Sequence, residues 1–145
     1  MRFVITGLPR TRTAWFAAYF MGVKDTICYH EASFMGNEMD VPYRNIGNSE
    51  AGVPQEWLDE FKPQKIVVVH RPVAEVERSL EIIGQPVKKG FIEALEERNQ
   101  GIDGLHVDFY DINIEKIHDY LGLAGHDPYR AALFADMNVQ SKHWR

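Results

Sequence analysis

The sequence predicts an α/β fold: a mainly parallel sheet of about five strands with helices on both faces. Three features predict it. Strand-like and helix-like stretches alternate along the chain, the pattern that right-handed β–α–β crossovers produce. Ile66-Val67-Val68-Val69 is a continuous β-branched run of the kind buried on both faces of a parallel sheet. Thr13 to Met21 is apolar nearly all round, which marks a buried helix.

Each element follows from local pattern. Arg2 to Thr6 is the first strand and Thr13 to Met21 the helix after it. Thr26 to His30 is the second strand. Ala32 to Val41, with Gly36, Asn37 and scattered polar residues, reads as loop or broken helix. Arg44 to Asn48 is a weak third strand. Pro54 to Phe61 is a short helix with Pro in its first turn, where a missing N–H costs little. Lys65 to His70 is the clearest strand, followed by helices at Pro72 to Ile83 and Val87 to Asn99. Glu93, Glu96, Glu97 and Arg98 form a solvated face of the latter. Leu105 to Tyr110 alternates apolar with polar and makes the fifth strand. Ile114 to Leu121 is an amphipathic helix stopped by Gly122 at its C-cap. From Asp127 to Arg145 one short helix precedes irregular chain. No repeat, low-complexity tract or linker interrupts the sequence, so one domain over 1–145 is expected, a size that buries about 68–70% of the unfolded surface.

Composition narrows the function. Hydrophobic residues make up 45% and charged residues 26%, ordinary for a globular protein. A net charge of −5 argues against general affinity for nucleic acid or anionic membranes, so any important cations act locally. Cys28 is the only cysteine, which rules out an internal disulfide and a cysteine-based zinc cluster. It sits in a strand and reads as a buried thiol in a reducing compartment. The longest apolar run, Ala14 to Val23, is too short to cross a bilayer. With Met1 leading straight into a strand, no signal segment is expected, and the chain reads as cytoplasmic.

Two strand-to-helix corners carry the chemistry. After the first strand comes Gly7-Leu8-Pro9-Arg10-Thr11-Arg12-Thr13, a cationic loop running into the apolar helix. Backbone N–H groups at such a turn, with the positive end of the next helix, face one bound anion. The fourth strand ends in His70-Arg71-Pro72, a second corner with a cation at its tip. Ligands of parallel sheets bind at the carboxyl ends of the strands, where both corners lie. Two such corners predict a ligand with two anionic groups. The scattered His106, His118, His126 and His143 lack ligand spacing.

The first loop fits G-x-x-x-x-G-K-[ST] poorly, having neither a second Gly nor a Lys. It resembles instead the loop of the P-loop sulfotransferases, approximately P-[KR]-[ST]-G-T-[TS]-[WL]. Pro9, Arg10, Thr11, Thr13 and Trp15 match in order, with Arg12 standing where that pattern has Gly. Arg71 and Ser79 have the Arg-to-Ser spacing with which that family holds the 3′-phosphate of its donor. Val107-Asp108-Phe109-Tyr110-Asp111-Ile112 and the helix ending Leu121-Gly122-Leu123 are similar to its later strand and helix.

The resemblance implies a P-loop NTPase-like three-layer sandwich and a metal-independent transfer of a sulfuryl group. The donor would be 3′-phosphoadenosine 5′-phosphosulfate and the acceptor a small hydroxyl or amine compound. Gly7, Pro9, Arg10, Thr11, Arg12, Thr13, Arg71 and Ser79 would bind the donor. Arg10 would also stabilise the charge developing on the leaving oxygen. A general base must take the acceptor's proton, and His30, Glu31 and Glu50 are the candidates by position, with His30 and Glu31 ahead. The acceptor pocket falls to Phe34–Pro42 and Gln85–Phe91, whose neighbourhood holds Phe34, Met35, Met39, Tyr43 and Phe91. Near the C-terminus, Ser141–Arg145 is the one basic segment that could wrap the nucleotide. Two other readings compete: a small ATP-dependent nucleotide or metabolite kinase, with Glu31 or Glu50 holding magnesium, and a non-catalytic binder of a phosphorylated ligand. A homodimer is left open.

Overall fold

The computed structural model describes residues 1–34 and 41–137. Five strands, β1 (Arg2–Gly7), β2 (Thr26–His30), β3 (Asn45–Ala51), β4 (Lys65–His70) and β5 (Leu105–Asp108), form one all-parallel sheet in the order β2-β3-β1-β4-β5. The helices are α1 (Thr13–Met21), α2 (Gln55–Phe61), α3 (Val73–Ile82), α4 (Phe91–Gln100), α5 (Ile114–Leu121) and α6 (Pro128–Ala135), with a 3-10 turn at Ala32–Phe34. Among the described residues no helix is long and apolar enough to cross a membrane.

Strand alternation sorts the side chains into two layers of packing. On one face Phe3, Ile5, Cys28, Val67, Val69 and Val107 meet α1 and α5. On the other, Val4, Ile46 and Ile66 meet Trp57, Leu58 and Phe61 of α2. Leu8, just past β1, packs with Val76, Leu80 and Ile92 of α3 and α4. Helices thus cover both faces, giving three layers. Gly47 makes the centre of the sheet fit: a Cβ there would come within 3.0 Å of the Phe3 ring, its register partner across the β1–β3 pair. Cys28 is buried, and burial pushes its thiol well above the ordinary value. It is inert.

The strand order has one functional consequence. From β1 the chain crosses over α1 towards β2, whereas from β4 it crosses over α3 and α4 towards β5, on the opposite side. The point where adjacent strands depart in opposite directions lies between β1 and β4. Such a switch point opens a crevice at the carboxyl edge. Both cationic corners flank it.

Several boundaries differ from expectation. β3 runs on to Ala51, three residues past the predicted Asn48, because Thr6 and Gly7 of β1 pair with Glu50 and Ala51. Its polar residues Asn48, Ser49 and Glu50 are buried, so tertiary pairing overrides their weak strand propensity. α4 starts at Phe91 instead of Val87, behind Gly90 in the left-handed conformation (φ 84°). β5 stops at Asp108, where the Asp108 carboxylate accepts the Tyr110 N–H at 2.7 Å and the chain turns. The α4 face read as solvated is only partly so: Glu96 bonds His70, and Arg98 donates to the Val53 carbonyl at 2.6 Å.

Between α1 and α5 the buried His118 meets the Tyr19 hydroxyl at 3.0 Å through Nε2. Burial holds its imidazole below the ordinary value. The unfolded chain therefore takes up a proton more readily than the fold, and stability is lost as pH drops below about 6.5. His118→Gln is expected to flatten that acid slope in thermal melts taken between about pH 7 and pH 5.

Candidate functional site

The first loop is held rigidly. Thr11 is fully buried and its hydroxyl donates to the Leu8 carbonyl at 2.7 Å, closing the turn. Arg10 and Arg12 both take left-handed backbone (φ 65° and 66°), a conformation that costs a non-glycine residue about 1–2 kcal/mol. Arg12 is the N-cap of α1, yet no side chain caps that end and no acid sits in the first turn. The first N–H groups of α1, which have no acceptor within the helix, present their positive end at the crevice.

Arg71 leaves β4 and binds the loop from the other side. Its Nη1 donates to the Arg10 carbonyl at 2.9 Å, and its Nε approaches Glu75 at 3.4 Å, one helical turn along. Ser79, which spacing pairs with Arg71, instead accepts a hydrogen bond from Arg10 Nε at 3.0 Å. Arg10 thus sits between them and ties the two corners into one cluster.

A third corner completes it. Phe109 follows β5, held by its N–H donating to the His70 carbonyl at 2.8 Å. The Arg71 guanidinium lies 4.4 Å from the centre of its ring and the Arg12 guanidinium 5.3 Å. Three arginines are thereby gathered within one crevice of an acidic protein. Tyr110 donates its hydroxyl to Glu75, which pushes the phenol above its ordinary value and fixes the carboxylate beside Arg71.

The base candidates are divided by the sheet. His30 Nε2 lies 3.3 Å from the Thr13 hydroxyl and 4.0 Å from Glu31, at the mouth of the first loop. Glu50 sits inside β3, not after it, and is buried. Its carboxylate accepts from the Ser33 N–H at 3.1 Å, from the Ser33 hydroxyl, and from Asn48 Nδ2 at 2.9 Å. That is an anchor for the 3-10 turn. Phe34 is exposed at the end of the turn, and Tyr43, Phe91 and all of Gln85–Phe91 are exposed. Met35 and Met39, and the basic segment Ser141–Arg145, lie outside the described residues.

Sequence reasoning missed Phe109 and Glu75 as members of the cluster. Glu75 was findable from its four-residue spacing to Arg71 on a helix. Phe109 was hidden because its strand ends at Asp108, two residues earlier than the alternation implies.

Arg12 provides a test of purpose. Replacement by Gly relieves about 1–2 kcal/mol of backbone strain but gives up about 0.5–1 kcal/mol of cation–π contact and adds a similar entropic penalty. These nearly cancel, so Arg12→Gly is expected to unfold within about 0.5 kcal/mol of wild type in urea. Its affinity for a bisphosphate ligand is expected to fall several-fold, a loss that fold maintenance does not explain.

No protein-family model matches the chain, and no curated protein matches it.

Proposed function

We propose that this chain is a compact P-loop sulfotransferase-like enzyme of the cytoplasm, taking 3′-phosphoadenosine 5′-phosphosulfate as donor and a small hydroxyl or amine compound as acceptor. One observation carries the reading: the Arg10 loop and the Arg71 corner meet at the switch point, linked by Arg10–Ser79 and Arg71–Arg10 hydrogen bonds. A donor of this type has two anionic ends. The uncapped start of α1 and Arg10 suit the 5′ end, and Arg71 with Ser79 suits the 3′-phosphate.

The chemistry asks for positioning and charge neutralisation. The acceptor oxygen or nitrogen attacks sulfur, the bond from sulfur to the 5′-phosphate oxygen breaks, and the charge left on that oxygen falls to Arg10 and the loop N–H groups. The acceptor's proton passes to a base. His30 is favoured by its place beside Thr13, with Glu31 at hand to stabilise the imidazolium. Glu50 is given a structural role by its bonds to Ser33 and Asn48. Those bonds also weaken the kinase reading, which needs Glu31 or Glu50 for magnesium.

The test is transfer itself. Labelled donor, a panel of phenols, alcohols and amines, and excess chelator should yield a sulfated product. Product formed only from ATP and magnesium would make the chain a kinase. Donor binding without transfer to any acceptor would make it a binding protein.

A further inference from the structure

His70 ends β4, one residue before Arg71, and its ring is the middle link of a hydrogen-bonded row. Glu96 Oε1 of α4 lies 2.5 Å from His70 Nδ1. His70 Nε2 lies 2.6 Å from His106 Nδ1 on β5, and His106 Nε2 lies 2.8 Å from the Ile102 carbonyl oxygen. The two ring planes are 9° apart.

Counting protons along the row decides its state. The Ile102 carbonyl can only accept, so His106 Nε2 carries a proton. The contact between the rings needs a second, and the contact with Glu96 a third. Two neutral imidazoles bring one proton each and a carboxylate brings none, which leaves three contacts one proton short. We infer that the Glu96–His70–His106 row holds one extra proton, shared by the two rings against the carboxylate, and that it clamps the end of β4 so that Arg71 and Phe109 stand correctly in the crevice. His70 is in this sense a positioning residue.

Burial supports the count. The Glu96 side chain is 13% exposed, and its second oxygen is buried without a hydrogen-bond partner among the described residues. Its nearest charge compensation is the His70 ring; Gln100 adds a neutral contact to the same oxygen at 3.4 Å. The other ionisable groups about His70 are His106 and Asp108 of β5, the latter its register partner, and Arg71 next in the chain. The link to the crevice is direct, because the His70 carbonyl accepts the Phe109 N–H and the Phe109 ring lies under Arg71.

Loss of the shared proton sets two lone pairs 2.6 Å apart, so the row must open. The row then also turns from neutral to singly negative beside a site for anions. Both changes weaken anion binding, a consequence that rests on the function proposed above.

Nuclear magnetic resonance of the ligand-free full chain tests the clamp. Of the four ring nitrogens of His70 and His106, three are expected to carry protons in the nitrogen-15 spectrum. Glu96→Gln is expected to return the pair to two, and both it and His106→Asn to shift the Phe109 ring signals. Two protonated nitrogens in wild type, or Phe109 signals that ignore both substitutions, overturn the inference. A second arm compares affinity for adenosine 3′,5′-bisphosphate, where His106→Asn is expected to bind about fivefold more weakly than wild type. Equal affinity of the two proteins overturns the coupling. Absence of binding in both removes the proposed function, and the ligand-free spectra still decide the clamp.

Discussion

Arg71→Ala is expected to lower affinity for adenosine 3′,5′-bisphosphate by about 100-fold, roughly 2.7 kcal/mol. The magnitude follows from removing a charge-assisted, forked contact to a phosphate, together with the brace on the Arg10 carbonyl. Glu75 is expected to add to the loss: its carboxylate, then held by Tyr110 alone of these partners, would stay beside the proposed 3′-phosphate position and repel that group. Arg71→Lys keeps the charge but not the fork and falls between the two. Stability changes little, since Arg71 is partly exposed and its ion pair with Glu75 is worth at most about 1 kcal/mol. Calorimetric titration of folded variants measures the effect, and a loss below about tenfold would place the 3′-phosphate elsewhere.

Gly7→Ala is expected to be the most damaging single substitution for the fold. Gly7 is the last residue of β1, the central strand, and pairs with Val69 and Ala51 on its two sides. A Cβ there would fall within 3.0 Å of the Val69 carbonyl oxygen and 2.8 Å from the Thr11 hydroxyl. The first neighbour is backbone, so relief requires parting β1 from β4. The second is the hydroxyl that closes the loop. Overpacking of this kind costs about 3 kcal/mol, out of roughly 5–15 kcal/mol for a whole domain. Urea unfolding should show it, with Gly101→Ala, whose Cβ would meet only an ordinary contact at 3.4 Å, near wild type.

The sheet and the two corners were legible because they depend on local signals. Val67–Val69 could only be a buried strand, Thr13–Met21 only a buried helix, and Gly122 stops α5 with φ 68° as its position implies. What was hidden depends on distant neighbours. The polar β3 is a strand because β1 lies beside it, and that pairing carries the strand past Asn48 to take in Glu50. Ser79 was read as the partner of Arg71 from the family resemblance, but the loop from β1 reaches it first. Glu96 looked like one more acid on a wet helix face until β4 and β5 brought His70 and His106 against it.

The central claim is that the crevice between β1 and β4 takes a ligand with separate 3′- and 5′-phosphates and needs no metal to do so. Calorimetry with adenosine 3′,5′-bisphosphate and with ATP, each with magnesium and with chelator, tests it most directly. The account predicts tight binding of the bisphosphate, unchanged by chelator and lost in Arg71→Ala. Binding of ATP alone, and only with magnesium, would contradict it.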